Sequence, residues 1–255
     1  MNTKRTKRIF IVRAATMLLM MLLTSTTVWA DQVSVSYIEA DGTTGTATAT
    51  VLTEEMIEQA YDSTNKLSEL PGGWYVVSSE INYDKPLDFK NETGTHLILA
   101  DDAKMTISGI YPENDITIYG QSNGTGTIEV QSSGIYAYDN YNITINDGVV
   151  KSGHGIRTNG NITINGGVVK TNSDSGHGIS TKNGNITING GKVTATTNEG
   201  FGICAENGKI TLGCIKNTDY IFSSSYSSNN ISIASGQTLI DGTRTYKGQI
   251  VASDA

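Results

Sequence analysis

From Asn142 onward the chain alternates apolar and polar residues in short runs, and the runs recur. Ile143/Ile145, Ile162/Ile164, Ile186/Ile188 and Ile210/Leu212 flank Thr144, Thr163, Thr187 and Thr211. A period of two places the aliphatic groups on one face of a strand and the threonines on the other. The runs then turn at Asp147-Gly148, Gly166-Gly167 or Gly190-Gly191, where glycine supplies backbone angles that other residues resist. A second short run carries Val150, Val169 and Val193, a third starts at Ile156, Ile179 or Ile203, and an Asn-Gly pair (Asn159-Gly160, Asn183-Gly184, Asn207-Gly208) closes each unit.

Gly-Ile pairs at Gly109, Gly134, Gly155, Gly178 and Gly202 set the period at 25, 21, 23 and 24 residues. Three strands and three corners in about 23 residues, with no helical crossover, describe one coil of a parallel β-helix. An antiparallel sandwich needs hairpin signals every 8 to 12 residues, roughly, and the strict recurrence in order favours the coil. The expected fold is therefore all-β, a parallel β-helix solenoid of about 23-residue coils over 81–214. Residues 31–80 are read as an N-terminal strand followed by a capping helix, which Thr53, Glu54 and Glu55 open and which Met56, Ile57 and Tyr61 face inward. Residues 215–255 abandon the repeat and read as a C-terminal cap.

Residues 1–30 follow another logic. Lys4, Arg5, Lys7, Arg8 and Arg13 precede the apolar run Met17 to Leu23 and then Val28-Trp29-Ala30, the three-part pattern of a secretory signal peptide, with cleavage expected after Ala30. Removing those five basic residues leaves 13 basic against 25 acidic residues, a formal charge of −12. Such a chain repels nucleic acid and anionic membrane surfaces, and no later stretch has the roughly 20 apolar residues of a membrane anchor. The protein is expected to be secreted, possible attachment at the cell surface included. A secreted cysteine pair suggests a disulfide, yet the repeat register aligns Cys204 with Arg157 and Ser180 in a strand and Cys214 with Gly167 and Gly191 in a turn, which argues against one.

Candidate chemistry lies on outward positions. The "SSGI", "GHGI", "GHGI" and "GFGI" corners align Ser133, His154, His177 and Phe201 one coil apart, a column of rings that can stack on each other or on a sugar. Two histidines without a third ligand are weak evidence for a transition metal. Beside them run Lys151 and Lys170 in one column, Lys192 on the same strand and Arg157 on the next, a positive strip suited to uronic-acid or other anionic glycans; Tyr136, Tyr138 and Tyr141 extend it. Asn142, Asn161 and Asn185, or Asn146, Asn165 and Asn189, are expected to stack as amide ladders. Asp101, Asp102, Asp139, Asp147 and Asp174 offer oxygen donors but recur at no fixed position, so no cofactor is expected, calcium being the one left open. A lyase would need acidic ligands and a base on the strand face that here carries threonine, and no zinc motif or certifiable carboxylate pair occurs.

The stretches "GGWYVVSSEINYDKPLDF", "HLILADDAKMTIS" and "DITIYGQSNGTGTIEV", the run of "ITINGG-V" coils and the closing "ISIASGQTLIDGTRTYKG" resemble, in content and order, the secreted bacterial right-handed β-helix domains of carbohydrate-binding surface proteins, which share the coil of pectin lyases. The resemblance spans about residues 33 to 250. It implies a right-handed coil, polysaccharide or host-surface contact, and no defined reaction. The expected function is a non-catalytic glycan-binding or adhesive β-helix using His154, His177, Phe201, Lys151, Lys170, Lys192, Arg157 and Tyr136. The alternatives are a structural surface protein with a protein partner, and a polysaccharide lyase.

Overall fold

Isoleucines spaced two apart stack because each coil pairs with the next in register, and the computed structural model shows this file directly. It describes residues 30–90, 93–216, 218–227, 231–235, 237–241 and 248–252; the leader read in residues 1–30 lies outside them but for Ala30. Ile143, Ile162, Ile186 and Ile210 pair coil to coil, as do Ile145, Ile164, Ile188 and Leu212, and all eight are buried. The result is a right-handed solenoid of about eight parallel coils, nearly all-β in class. Its prism has three faces.

Face 1 is a sheet whose parallel part runs through Trp74–Val77, Thr95–Leu99, Ile116–Tyr119, Ile143–Ile145, Ile162–Ile164, Ile186–Ile188, Ile210–Leu212 and Ile231–Ile233. Outward between the isoleucines stand His96, Thr117, Thr144, Thr163, Thr187 and Thr211 in one column. Both asparagine columns form. Asn165 Nδ2 donates to Asn146 Oδ1 and Asn189 Nδ2 to Asn165 Oδ1, each at 2.8 Å. In the other column, the Asn142, Asn161 and Asn185 side chains accept the backbone N–H of the coil above at 2.9 Å. Each bond satisfies a corner group that the strand ladder leaves unpaired.

Faces 2 and 3 differ between the two ends of the coil stack. In the early coils one long bent strand serves both faces: Ile81–Lys90, Lys104–Pro112 and Thr127–Ala137, with register breaks between Tyr83 and Pro86 and between Val130 and Gly134. In the later coils each long strand is divided by a corner, as in Val149–Ser152 and Ile156–Thr158, or Val168–Ser173 and Ile179–Thr181. Val150, Val169 and Val193 stack inside face 2, and Ile135, Ile156, Ile179 and Ile203 inside face 3. The stack ends where Tyr220–Ser223 pairs antiparallel with Gly248–Ala252.

Residues ahead of the coils carry an element that the sequence reading did not name. Gln32–Ile38 and Thr44–Val51 form an antiparallel hairpin. Only Thr50 and Val51 join face 1; the rest lies across its outer surface, where Ile38 N–H donates to Gly120 O at 3.0 Å and the Gln121 amide donates to Ser36 O at 2.9 Å. The cause is an apolar outer column: Val76, Ile98 and Tyr119 point away from the main core, and Tyr37 and Ala49 cover them. After the hairpin, Glu54–Gln59 makes a short helix (α1), with Thr53 Oγ1 accepting from Met56 N–H at 3.2 Å and Ile57 buried. Both cysteines are buried and neither is in a disulfide. Leu212 pairs with Ile188, so Cys214 stands level with Gly190, one place before the expected Gly191.

Candidate functional site

The outward side of face 3 gathers the densest chemistry. Strand register builds one column from Glu69, Asp88, Tyr111, Tyr136, Arg157, Ser180 and Cys204. Tyr138, two residues beyond Tyr136 on the same side, packs its ring 4.2 Å from Tyr136 and 5.8 Å from Tyr111, and stays 54% exposed. The Arg157 guanidinium lies 5.7 Å from the Tyr136 ring, while its Nε donates to Ser180 Oγ at 3.4 Å. Three tyrosines with a guanidinium at one end make an amphipathic platform.

Carboxylates stand at the other end. Lys90 Nζ lies 2.8 Å from Glu69, 3.7 Å from Glu113 and 3.8 Å from Asp88 Oδ2. Asp88 is only 3% exposed, and among the described residues its Oδ1 has no hydrogen-bond partner. Burial, seconded by the Glu113 charge and opposed by Lys90, pushes its carboxyl up to about 7. Burial raises Tyr138, with Tyr111, Tyr136 and Asp88 acting in the same direction.

The expected positive strip does not form as one surface. Lys151 and Lys170 pair coil to coil on face 2 and line a groove of about 480 Å³ with Glu129, Gln131, Asn172 and Thr196. Glu129 pairs with Lys151 across the coils and bridges Lys104 at 3.1 Å, which offsets the charge there. Lys192 pairs with Val168, two places earlier on its strand, and so borders a different groove between the hairpin tip and the corner, beside Asp41, Asp147 and Asp219. Arg157 belongs to face 3. Corners separate these cations, because two residues along a strand are enough to carry a side chain toward the bend.

Of the aligned rings, His177 and Phe201 stack at 5.6 Å, and Phe201 N–H donates to His177 Nδ1 at 2.9 Å. Burial lowers the His177 pKa, and Arg157 adds to it. His154 instead borders a small recess with Ser133, Tyr136 and Arg157. Its "GHGI" copy bends differently: the left-handed residue is Gly155 after His154, but Gly176 before His177. Identical letters thus make two corners, because the strand before His177 runs on to Ser173 while the one before His154 stops at Ser152.

Tyr136 and Arg157 are therefore brought together from the expected set, with His154 at their edge. Tyr141, expected beside Tyr136, packs against the main core. Tyr111, Asp88, Glu69, Lys90 and Glu113 were not read as site residues; the signal was available in "GIYP" and "GIYAY", which align Tyr111 with Tyr136. Among the described residues no group of three or more His, Cys, Asp or Glu could hold a metal ion, and no helix is long and apolar enough to cross a membrane. Compared with protein-family models, with curated proteins and with solved structures, the chain matches none.

Proposed function

We propose that the protein is a secreted or surface-associated, non-catalytic glycan-binding β-helix that engages polysaccharide along the outer side of face 3. The observation that carries this reading is the tyrosine platform. Tyr138 is an exposed large aromatic residue propped on two further tyrosines, and an exposed ring held rigid offers apolar area to a pyranose at little entropic cost. Arg157 and Asp88 flank it with donor and acceptor groups for sugar hydroxyls. The resemblance to carbohydrate-binding β-helix domains supports the same reading, as does the leader pattern for export. The face-1 column offers no acidic ligand set, and its one imidazole, His96, is stacked on Trp74 and bonded to Tyr119, so a lyase gains little from that surface.

Native-gel retardation tests the proposal. Mobility of the protein should fall in gels cast with a polysaccharide ligand, and the Tyr136→Ala/Tyr138→Ala variant should run unretarded. Unchanged mobility across neutral, acidic and amino-sugar polymers would overturn the glycan reading and leave a structural role with a protein partner.

A further inference from the structure

Resting on that reading, we infer that the face-3 site is built for a cationic amino sugar: a pyranose ring stacks on Tyr138 while its ammonium group enters the carboxylate cluster at Asp88. Three observations converge on it. First, Glu69, Asp88 and Glu113 surround a single cation, Lys90, so the cluster carries more acid than base. Second, among the described residues Asp88 Oδ1 is a buried acceptor with no donor, and a buried polar atom without a partner is a standing penalty that a ligand N–H removes. Third, the carboxylates and the ring platform are contiguous, since Asp88 pairs with Tyr111 and its charge reaches Tyr138.

Charge decides between sugar classes. A uronic acid would bring a carboxylate toward Glu69, Asp88 and Glu113, where like charges repel. A neutral hexose would satisfy Asp88 with a hydroxyl but leave the excess acid unbalanced. An ammonium donates to Asp88 and also neutralises the cluster, and a charge-assisted bond is roughly twice as strong as a neutral one. The raised Asp88 proton affinity agrees with a site short of positive charge. An oligolysine peptide shares the ammonium but has no flat ring face for Tyr138.

Isothermal titration of the full chain tests this with four hexasaccharides: the glucosamine oligomer, its N-acetylated form, cellohexaose and hexagalacturonate, with hexalysine as a fifth probe. The glucosamine hexamer should bind at least tenfold tighter than the other four. Asp88→Asn, which keeps shape and removes the charge, should reduce that affinity about tenfold, and Tyr138→Ala should reduce it as much. Two results would overturn the ammonium assignment alone: N-acetylated, neutral or acidic hexamers binding as tightly as the glucosamine oligomer, with Asp88→Asn silent and Tyr138→Ala still disruptive, or hexalysine binding as tightly as the sugar. Binding of none of the saccharides would overturn the glycan reading itself. Circular dichroism of each variant separates lost binding from lost fold.

Discussion

The coils from Ile143 to Leu212 and those from Trp74 to Ala137 share one backbone path and differ in almost everything attached to it. The later coils repeat: isoleucine within, threonine without, asparagine at the corners, with each long strand divided into two short ones. The earlier coils fill their interior with Tyr75, Tyr83, Phe89 and Met105, and run single bent strands across two faces. Their outer surfaces carry the hairpin on face 1 and the tyrosine and acid cluster on face 3. Regular coils therefore provide columns and height, whereas departure from the repeat is where shape and charge are specialised.

Core substitutions should separate the two regions most strongly. Phe89→Ala removes a fully buried ring from the early coils and should lower stability by about 3 to 5 kcal/mol, against about 2 to 4 kcal/mol for Ile164→Ala in the late ladder. Urea denaturation followed by circular dichroism checks both; equal, small effects would mean that neither interior is close-packed. Corner glycines come next. At Gly155, φ is +88° and an added Cβ would meet His177 O at 2.5 Å, while at Gly42 in the hairpin turn φ is +82° with nothing within 4 Å. Gly155→Ala should cost more than about 2 kcal/mol and Gly42→Ala about 1 kcal/mol, strain alone.

The amide ladder should be worth less. Asn165→Ala removes both 2.8 Å side-chain bonds and should lower stability by about 1 to 2 kcal/mol. A loss no larger than for an exposed threonine would show that water replaces the ladder freely.

Acidity distinguishes the early coils again. His96 stacks on Trp74 at 4.1 Å and shares a hydrogen bond with Tyr119 at 3.0 Å, and burial lowers its pKa. Its folded state favours the neutral ring, so this contribution is present above the unfolded value of about 6.5 and is lost as pH falls below it. Asp88 works the other way. Its folded pKa, about 7, exceeds the unfolded value of about 3.9, so stability declines as pH rises between the two and then levels off. Melting temperatures should show Asp88→Asn more stable than the parent at pH 8, with the gap closing near pH 4, whereas a His96→Asn variant should blunt the parent's loss between pH 7 and pH 5. The smallest effect belongs to Tyr138→Ala, which removes a half-exposed ring and should change stability by under about 0.5 kcal/mol.

The late coils were legible in the sequence because each side chain repeats its neighbour's environment, so Ile143, Ile162 and Ile186 announce their own stacking. Lys151 and Lys170 were aligned for the same reason. Legibility fails where register is set by something other than copying. The Gly-Ile-Tyr copies align Tyr111 with Tyr136, but placing Asp88 beneath them depends on the break at Tyr83/Pro86, which no residue pattern marks. His154 and His177 share a motif but not a corner, since the strand lengths before them differ. The hairpin had a visible signal, alternation on both sides of Asp41-Gly42, but its packing surface, Val76, Ile98 and Tyr119, is assembled from three coils.

Whether the early coils form the working surface is tested most directly by tyrosine-selective ¹³C NMR during titration with the glucosamine hexamer. Ring signals of Tyr111, Tyr136 and Tyr138 should shift together and saturate, while those of Tyr61 and Tyr220 stay in place. Saturating shifts at Tyr220 but not at Tyr138, or no shift at any tyrosine, would contradict the account.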